Sequence, residues 1–256
     1  MKETTMDRQE QSAGLLDTAK NFLARKGRRA WPLRVLSKNR IAPHMTRVEF
    51  SGPDLDELMW TRGQDVVLEI PTDSGIARRH YTIRDHDAER RTLTIDFVLH
   101  GEGASGPWLD SLRAGDDVTA VGPRGHTYLR PADWHFFCGD ESCIPGIFAM
   151  LESLPFGAKA FAFIEVDSEA DIIPPRGSLQ VSWVFRNGAT PGPSPLLYDA
   201  IEEFVFPQGY GFAYVIGETS NVRAIRHRLI ERGIPRDRIA SEGYWRPGRV
   251  GGHDHV

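Results

Sequence analysis

The chain has 256 residues, of which 40% are hydrophobic and 26% are charged. This composition is typical of soluble globular proteins and excludes disordered and collagen-like chains. With 31 basic and 35 acidic residues, the net charge is -4, so bulk charge gives no reason to expect a nucleic-acid partner. Two cysteines, Cys138 and Cys143, cannot build a disulfide framework or a four-cysteine zinc site. We expect a cytoplasmic protein with no metal site and no membrane span.

The first 30 residues are predicted to form an amphipathic helix. Leucine, alanine and phenylalanine recur on one face between Leu15 and Leu23, and basic residues follow between Arg25 and Arg29. We expect this helix to dock on its own domain, with membrane-surface binding as the alternative. We expect a monomer, and whether the helix mediates dimerisation is left open.

Residues 31–130 predict an antiparallel β-barrel. Short stretches rich in β-branched and aromatic residues follow one another, separated by turn formers and with room for only one short helix, at 106–112. The predicted strands are 34–37, 46–50, 66–70, 80–83, 92–99 and 117–121.

Residues 131–256 predict an α/β domain with a parallel sheet. Apolar strands at 134–138, 160–165, 179–185 and 212–216 alternate with helices. The predicted helices are 144–154, 195–204 and 221–232. The chain therefore reads as two domains that meet near Pro131.

The most informative segment is the predicted strand Arg79-His80-Tyr81-Thr82-Ile83-Arg84. Alternation directs Arg79, Tyr81 and Ile83 to one face and the other three side chains to the opposite face. The segment resembles the R-x-Y-[ST] flavin signature of the ferredoxin:NADP reductase superfamily. In that family the tyrosine packs on the flavin ring, the hydroxyl residue bonds its reactive edge, and the arginine holds the pyrophosphate. An ordinary edge strand is the alternative interpretation of the tetrapeptide taken alone.

Two glycine-containing loops could bind anions through backbone N–H groups. The loop 103–109 leads into the short helix, with Ser105 as a candidate N-cap and Pro107 in the first turn. The sequence Gly122-Pro123-Arg124-Gly125 predicts a tight turn that lets backbone approach a ligand.

Taken together, the ordered motifs resemble the siderophore-interacting proteins, an FAD-dependent branch of that superfamily that reduces ferric siderophores. The matching segments are 79–84, 95–101, 122–125, 139–145, 183–186, 217–218 and 243–246. The resemblance implies that Thr82 and Tyr81 are catalytic and that an FAD site includes these residues. The implied cofactor residues are Arg79, His80, Tyr81, Thr82, Ile83, Arg84, Asp96, Val98, His100, Gly101, Ser105, Gly106, Trp108, Asp140, Glu141, Ser142, Tyr244 and Trp245.

The electron donor is less well specified, and NADH, NADPH and reduced ferredoxin remain open. A conventional reductase of the superfamily carries G-x-G-x-x-P after its first parallel strand, whereas this chain has the acidic pair Asp140 and Glu141. We therefore expect slow reduction by nicotinamide, and improvement on Glu141→Gly. Arg186 is interpreted either as a partner of a 2′-phosphate or as an ordinary surface arginine.

The acceptor is expected to be a ferric siderophore that docks on scattered arginines, Arg246 first and Arg130 second. Two other functions are kept: a general NAD(P)H:flavin or ferredoxin-type reductase, and a flavin-containing siderophore-binding module that does not reduce its cargo. A structural protein without a ligand is the third alternative function.

Both cysteines are expected to be buried packing residues. The segment His253-Asp254-His255 is expected to be a disordered tail rather than a metal site.

Overall fold

The computed structural model describes residues 29–73, 75–98, 105–177, 179–249 and 254–255. The predicted N-terminal helix therefore lies outside the described residues, apart from its last two positions. Those two are in a strand, because β1 begins at Arg29. None of the helices in the described part of the chain has the length and apolarity needed to cross a bilayer.

The first sheet has seven antiparallel strands in the order β4-β3-β7-β1-β2-β6-β5. Its strands form because apolar residues alternate with polar ones, which buries one face. In β2, Val48 and Phe50 are fully buried, whereas Arg47 and Glu49, which alternate with them, are half-exposed. The strands are β1 (Arg29–Ala42), β2 (Met45–Ser51), β3 (Asp65–Thr72), β4 (Gly75–Thr82), β5 (Asp85–Asp87), β6 (Thr92–Val98) and β7 (Asp117–Arg124).

This sheet curls around a core that includes Trp31, Phe50 and Phe97. A short helix, α1 (Ser105–Ser111), packs on the barrel through the buried Leu109. The antiparallel barrel and the short helix that follows β6 are as the sequence predicts.

The second sheet has five parallel strands and one short antiparallel strand, in the order β10-β9-β8-β11-β12-β13. All seven residues of β8 are buried, as expected for a strand covered on both faces. The strands are β8 (Trp134–Asp140), β9 (Lys159–Val166), β10 (Val181–Phe185), β11 (Gly211–Glu218), β12 (Ile239–Trp245) and β13 (Asp254–His255).

Helices cover both faces of this parallel sheet. The first, α2 (Ile144–Leu151), is buried along its whole length and packs on one face. The other two, α3 (Leu196–Glu202) and α4 (Thr219–Glu231), pack on the opposite face through Leu197, Val222 and Leu229. The predicted parallel α/β architecture is confirmed, and the predicted domain boundary falls between the end of β7 and the start of β8.

Three strands were not predicted from the sequence. Strand β12 contains a polar Ser-Glu-Gly stretch that breaks its apolar pattern, and it forms because it pairs with the buried β11. Strand β5 has only three residues. The prediction of a disordered tail is wrong for residues 254 and 255, because their backbone pairs with Gly243 and Glu242 as β13.

Candidate functional site

The end of β4 presents an aromatic ring to the barrel interior. Tyr81 lies with its ring centroid 4.4 Å from that of Phe97, and Phe97 in turn lies 5.8 Å from Trp108 on α1. Burial raises the pKa of the Tyr81 phenol, and a hydrogen bond with Ser105 and the charge of Arg79 oppose that shift. Gly106, directly after Ser105, is half-buried in the first turn of α1. Tyr81 therefore stays a neutral hydroxyl between the barrel and α1.

On the opposite face of the strand, Thr82 meets the second domain. Its Oγ1 lies 3.4 Å from the Tyr244 hydroxyl, which comes from β12. Burial raises the pKa of Tyr244 well above its usual value, so this phenol also keeps its proton. A Cβ on Gly146 would lie only 3.2 Å from Thr82 Cγ2, so the absence of a side chain lets α2 approach this hydroxyl pair.

The other residues of the predicted motif mainly bind the protein itself. His80 Nδ1 forms a short hydrogen bond with Asp65 on the adjacent strand. Ile83 is fully buried in the barrel core, and its backbone N–H donates to the Gln64 carbonyl oxygen at 3.0 Å. Arg79 is half-buried and donates to the Arg78 carbonyl at 3.0 Å.

Arg84 is a buried cation at the junction of the two sheets. It is 3% exposed, and its Nη2 donates to Glu152 Oε1 at 2.6 Å, while its Nε lies 3.8 Å from Asp96. Asp96 itself accepts two hydrogen bonds from Arg47, at 2.7 and 2.8 Å. Arg84 and Asp96 thus form part of an ion-pair chain that joins the barrel to the second domain.

Further predicted FAD residues lie near this strand or outside the described residues. Val98, half-buried, ends β6, whereas His100 and Gly101 fall in the part of the chain that the structure does not describe. The turn at 122–125 does bring backbone close to Asp65, since a Cβ on Gly125 would lie 2.9 Å from the Asp65 carboxylate.

Asp140 occupies the turn after the first parallel strand and is saturated with hydrogen bonds. Its Oδ1 accepts from the backbone N–H and hydroxyl of Ser142. Its Oδ2 accepts from the Glu218 N–H at 2.7 Å and from Trp245 Nε1 at 3.0 Å. Asp140 thereby ties the C-terminal Trp245 to the start of the first crossover.

Glu141 is paired with Arg186, which is buried. This pairing corrects both interpretations of Arg186, as a partner of a 2′-phosphate and as an ordinary surface arginine. Arg186 is 7% exposed and donates to both Glu141 oxygens, at 2.6 and 2.8 Å. It is therefore neither a surface residue nor available to a phosphate. The charge of Glu141 is compensated as well, so the expectation that Glu141→Gly would relieve a free repulsive charge has lost its basis.

Glu165 completes this cluster from the end of β9. Its Oε1 lies 3.5 Å from Arg186 Nη1, and its Oε2 is buried without a hydrogen-bond partner. Burial, opposed by Arg186, raises the pKa of Glu165 to about 7. The cluster thus contains two carboxyl groups around one guanidinium.

Both cysteines are buried, as predicted. Burial and nearby carboxylates raise the pKa of each thiol. The Cys143 thiol donates to the Asp140 carbonyl oxygen at 2.7 Å. Both thiols therefore stay protonated, and both cysteines act as buried packing residues.

The two predicted acceptor residues lie at the surface. Arg246 is exposed directly after Trp245. Arg130 is also exposed, its guanidinium lies 4.1 Å from the centre of the Tyr128 ring, and its backbone N–H donates to Tyr214 at 2.7 Å. Their part in acceptor binding stays a prediction.

Sequence reasoning missed the residues through which the domains meet. These include Gly146, Glu152 and Glu242, whose Oε2 accepts from the Thr127 hydroxyl at 2.8 Å. A glycine inside an otherwise apolar helix was the available signal for Gly146. The two glutamates carry no local pattern that marks them.

Comparison with known protein families explains this arrangement. Residues 132–248 match the profile described as "Siderophore-interacting protein", and residues 61–127 match "Siderophore-interacting FAD-binding domain". An uncharacterised protein of Mycobacterium tuberculosis is 32% identical over 266 residues, covering 88% of this chain and 93% of its own. The chain belongs to the siderophore-interacting protein family.

Two further relatives are informative about this family member. The ferric vibriobactin reductase ViuB of Vibrio cholerae is 38% identical over 179 residues. That match covers 67% of this chain but only 65% of ViuB. The crystal structure of a siderophore utilization protein from T. fusca has a TM-score of 0.80 and 34% identity, covering 87% of this chain and 95% of that one. The two-domain fold is also that of ferredoxin-NADP+ reductase.

The residues at the end of β4 fit the FAD that the family implies. Tyr81 supplies an aromatic surface, Thr82 a hydroxyl, and Arg79 a cation for phosphate on one strand. Gly146 lets the backbone of α2 pack close to Thr82, because a Cβ there would lie 3.2 Å from Thr82 Cγ2. This donor set suits a flat ring joined to a pyrophosphate.

Proposed function

We propose that this protein is a ferric-siderophore reductase that uses FAD and acts in the cytoplasm. The observation that carries the proposal is the contact of Thr82, next to Tyr81 on the flavin-type strand, with Tyr244 from the second domain. The resemblance to ViuB, a ferric vibriobactin reductase, supports the same acceptor class. The donor is NADH, NADPH or reduced ferredoxin.

Bound FAD would supply the redox chemistry: it can take up two electrons as one hydride and pass them on singly, so that two ferric chelates are reduced to ferrous iron per hydride and one proton is released. Ferrous iron is held far less tightly by such chelators and leaves. The protein needs no nucleophile for this chemistry, because it supplies orientation and a defined hydrogen-bonding environment.

Thr82 and Tyr244 are the residues that would set this environment. With its pKa raised by burial, Tyr244 keeps the hydrogen that it can donate to Thr82 Oγ1. The Thr82 hydroxyl would then be oriented to donate its own hydrogen to the bound cofactor. Tyr81, Phe97 and Trp108 exclude water on the barrel side.

Anaerobic electron transfer tests the proposal directly. FAD-loaded protein is reduced with dithionite and mixed with a ferric tricatecholate, a ferric hydroxamate or free FMN. We expect flavin absorbance near 450 nm to return with a ferric chelate while a ferrous chelator traps two irons per flavin. Binding of chelate without ferrous iron would identify a non-reducing module, and transfer only to free flavin would identify a general flavin reductase.

The acceptor is proposed to dock beside Arg246. Arg246→Ala should raise the KM for an anionic ferric chelate several-fold and weaken its dependence on salt, because a guanidinium that attracts the anion is lost. Reduction of the flavin by its donor should be unchanged. Arg223→Ala, on the exposed side of α4, removes the same charge elsewhere and is the control. Equal KM values for Arg246→Ala and the unmodified protein at low salt would move the docking site elsewhere.

A further inference from the structure

Charged residues follow the carboxyl ends of three adjacent parallel strands, at the edge of the sheet where doubly wound folds bind a dinucleotide. Strands β8, β9 and β10 are followed by Glu141, Asp167 and Arg186 in turn. In doubly wound folds an acidic residue at the end of the second strand bonds the ribose 2′-hydroxyl of NAD, whereas a nearby arginine accommodates the 2′-phosphate of NADP. Asp167 stands in the acidic position here, and Arg186 in the basic one.

Arg186 is already committed to carboxylates of its own chain. Both terminal nitrogens bond Glu141, and one lies 3.5 Å from Glu165 as well. With 4% side-chain exposure, the guanidinium would have to break a buried bidentate pair to reach an external phosphate. Such a pair costs several kcal/mol to break when one partner stays buried.

The surroundings of this pair are acidic. A small cavity beside it is lined by Glu141, Asp167 and Asp171, with His44 as the basic residue at its rim and apolar side chains such as Ile144 completing it. Asp171 accepts a hydrogen bond from Ser168 and lies 2.8 Å from His44 Nδ1. Asp167 is half-buried and accepts from the Gly188 N–H at 2.9 Å. Carboxylates outnumber cations here, so a doubly charged phosphate is repelled whereas a neutral ribose hydroxyl can donate to a carboxylate.

From this geometry we infer that the dinucleotide donor is NADH, and that Glu141 excludes NADPH by holding Arg186. Asp167 is the acceptor for the ribose 2′-hydroxyl. This inference rests on the proposed reductase function, because it specifies the donor of that reaction. The preference for NADH over NADPH is thus determined by the internal Glu141–Arg186 ion pair, and not by the absence of an arginine from this position.

Binding of oxidised nucleotides tests the inference without turnover. Isothermal titration of FAD-loaded protein with NAD+ and NADP+ should show at least tenfold tighter binding of NAD+. Glu141→Gln, which keeps the shape and removes one charge, should raise the affinity for NADP+ about tenfold and change that for NAD+ less than threefold. Glu203→Gln, an exposed acid after α3, is the matched control and should leave both affinities unchanged.

A second variant keeps the test decisive should Glu141→Gln fold poorly. Asp167→Asn should weaken NAD+ binding and strengthen NADP+ binding, so that the ratio of the NAD+ affinity to the NADP+ affinity falls at least tenfold. Equal or tighter binding of NADP+ by the unmodified protein would overturn the inference, as would an unchanged ratio in both variants. Failure of either nucleotide to bind would also overturn it, while ferric reduction by dithionite-reduced protein tests the proposed function separately.

Discussion

Single residues at the end of β4 show how one short sequence serves two domains. Tyr81 packs within the barrel, and the next residue, Thr82, contacts Tyr244 across the domain junction. This follows from strand geometry, since successive side chains point to opposite faces. Residue type and alternation therefore account for the division of roles between Tyr81 and Thr82.

Arg79 is expected to determine cofactor retention. Arg79→Ala should lower FAD occupancy after purification by at least tenfold, because a phosphate left without a charge-assisted partner loses about 2 to 5 kcal/mol of binding free energy. The ratio of absorbance at 450 and 280 nm measures the FAD occupancy. Arg90→Ala, at a side chain 70% exposed, is the control. Full occupancy in Arg79→Ala would show that the pyrophosphate is held elsewhere.

Glu165 is expected to make stability depend on pH. Its folded-state pKa of about 7 lies above the ordinary value of 4.5, so between these values the folded protein holds a proton that the unfolded chain releases. The free energy of unfolding therefore falls as pH rises from about 4.5 to about 7 and levels off above that, by about 3 kcal/mol in all.

Glu165→Gln should remove this contribution because an amide does not ionise. Urea unfolding at several pH values should show the variant gaining about 2 to 3 kcal/mol relative to the unmodified protein between pH 5 and pH 8. Glu203→Gln should run parallel to the unmodified protein over the same range. A parallel curve for Glu165→Gln as well would mean that Glu165 is ionised at pH 5.

At the scale of elements, β8 and the turn that follows it organise the second domain. The apolar run of β8 predicts a buried central strand, and the structure places it between β9 and β11. The turn brings Asp140 to the N–H of Glu218 and to Trp245. Two crossover connections and strand β12 are thus joined through one carboxylate.

Gly139 is expected to be essential for this junction. A Cβ there would lie 1.9 Å from the Ile216 carbonyl oxygen and 2.5 Å from Cys143 Sγ, so Gly139→Ala should lower the free energy of unfolding by about 3 kcal/mol. Urea unfolding measures the loss. Gly192→Ala is the control, because its Cβ would meet only Pro247 at 3.6 Å and should cost less than about 0.5 kcal/mol. Equal stability of the two variants would contradict the packing argument.

At the scale of the whole molecule, polar contacts connect the two sheets at several points. Arg84 pairs with Glu152 at 2.6 Å, and Arg176 pairs with Asp85 at 2.7 Å. Further hydrogen bonds link Thr127 with Glu242 and Thr82 with Tyr244. Because the proposed flavin edge lies at this junction, its geometry depends on how the domains are held together.

The Arg84–Glu152 pair is expected to dominate this connection. Glu152→Ala leaves the buried Arg84 guanidinium without its closest partner and should cost about 3 kcal/mol of unfolding free energy. Arg176→Gln, at a side chain 62% exposed, should cost less than about 1 kcal/mol. Urea unfolding followed by tryptophan fluorescence and circular dichroism compares them. Equal losses would show that burial of Arg84 is not the controlling factor.

The sequence by itself determined the two-sheet architecture, most strands and helices, and the flavin-type motif of Arg79, Tyr81 and Thr82. These are local properties, since periodicity and turn chemistry depend on neighbouring residues. The tertiary structure decided which distant residues meet, as with Tyr244 at Thr82 and Glu152 at Arg84. It also showed that Arg186 is buried and neutralised by Glu141. Charge pairing across 45 positions leaves no trace in a local pattern, because only folding brings the partners within hydrogen-bond distance.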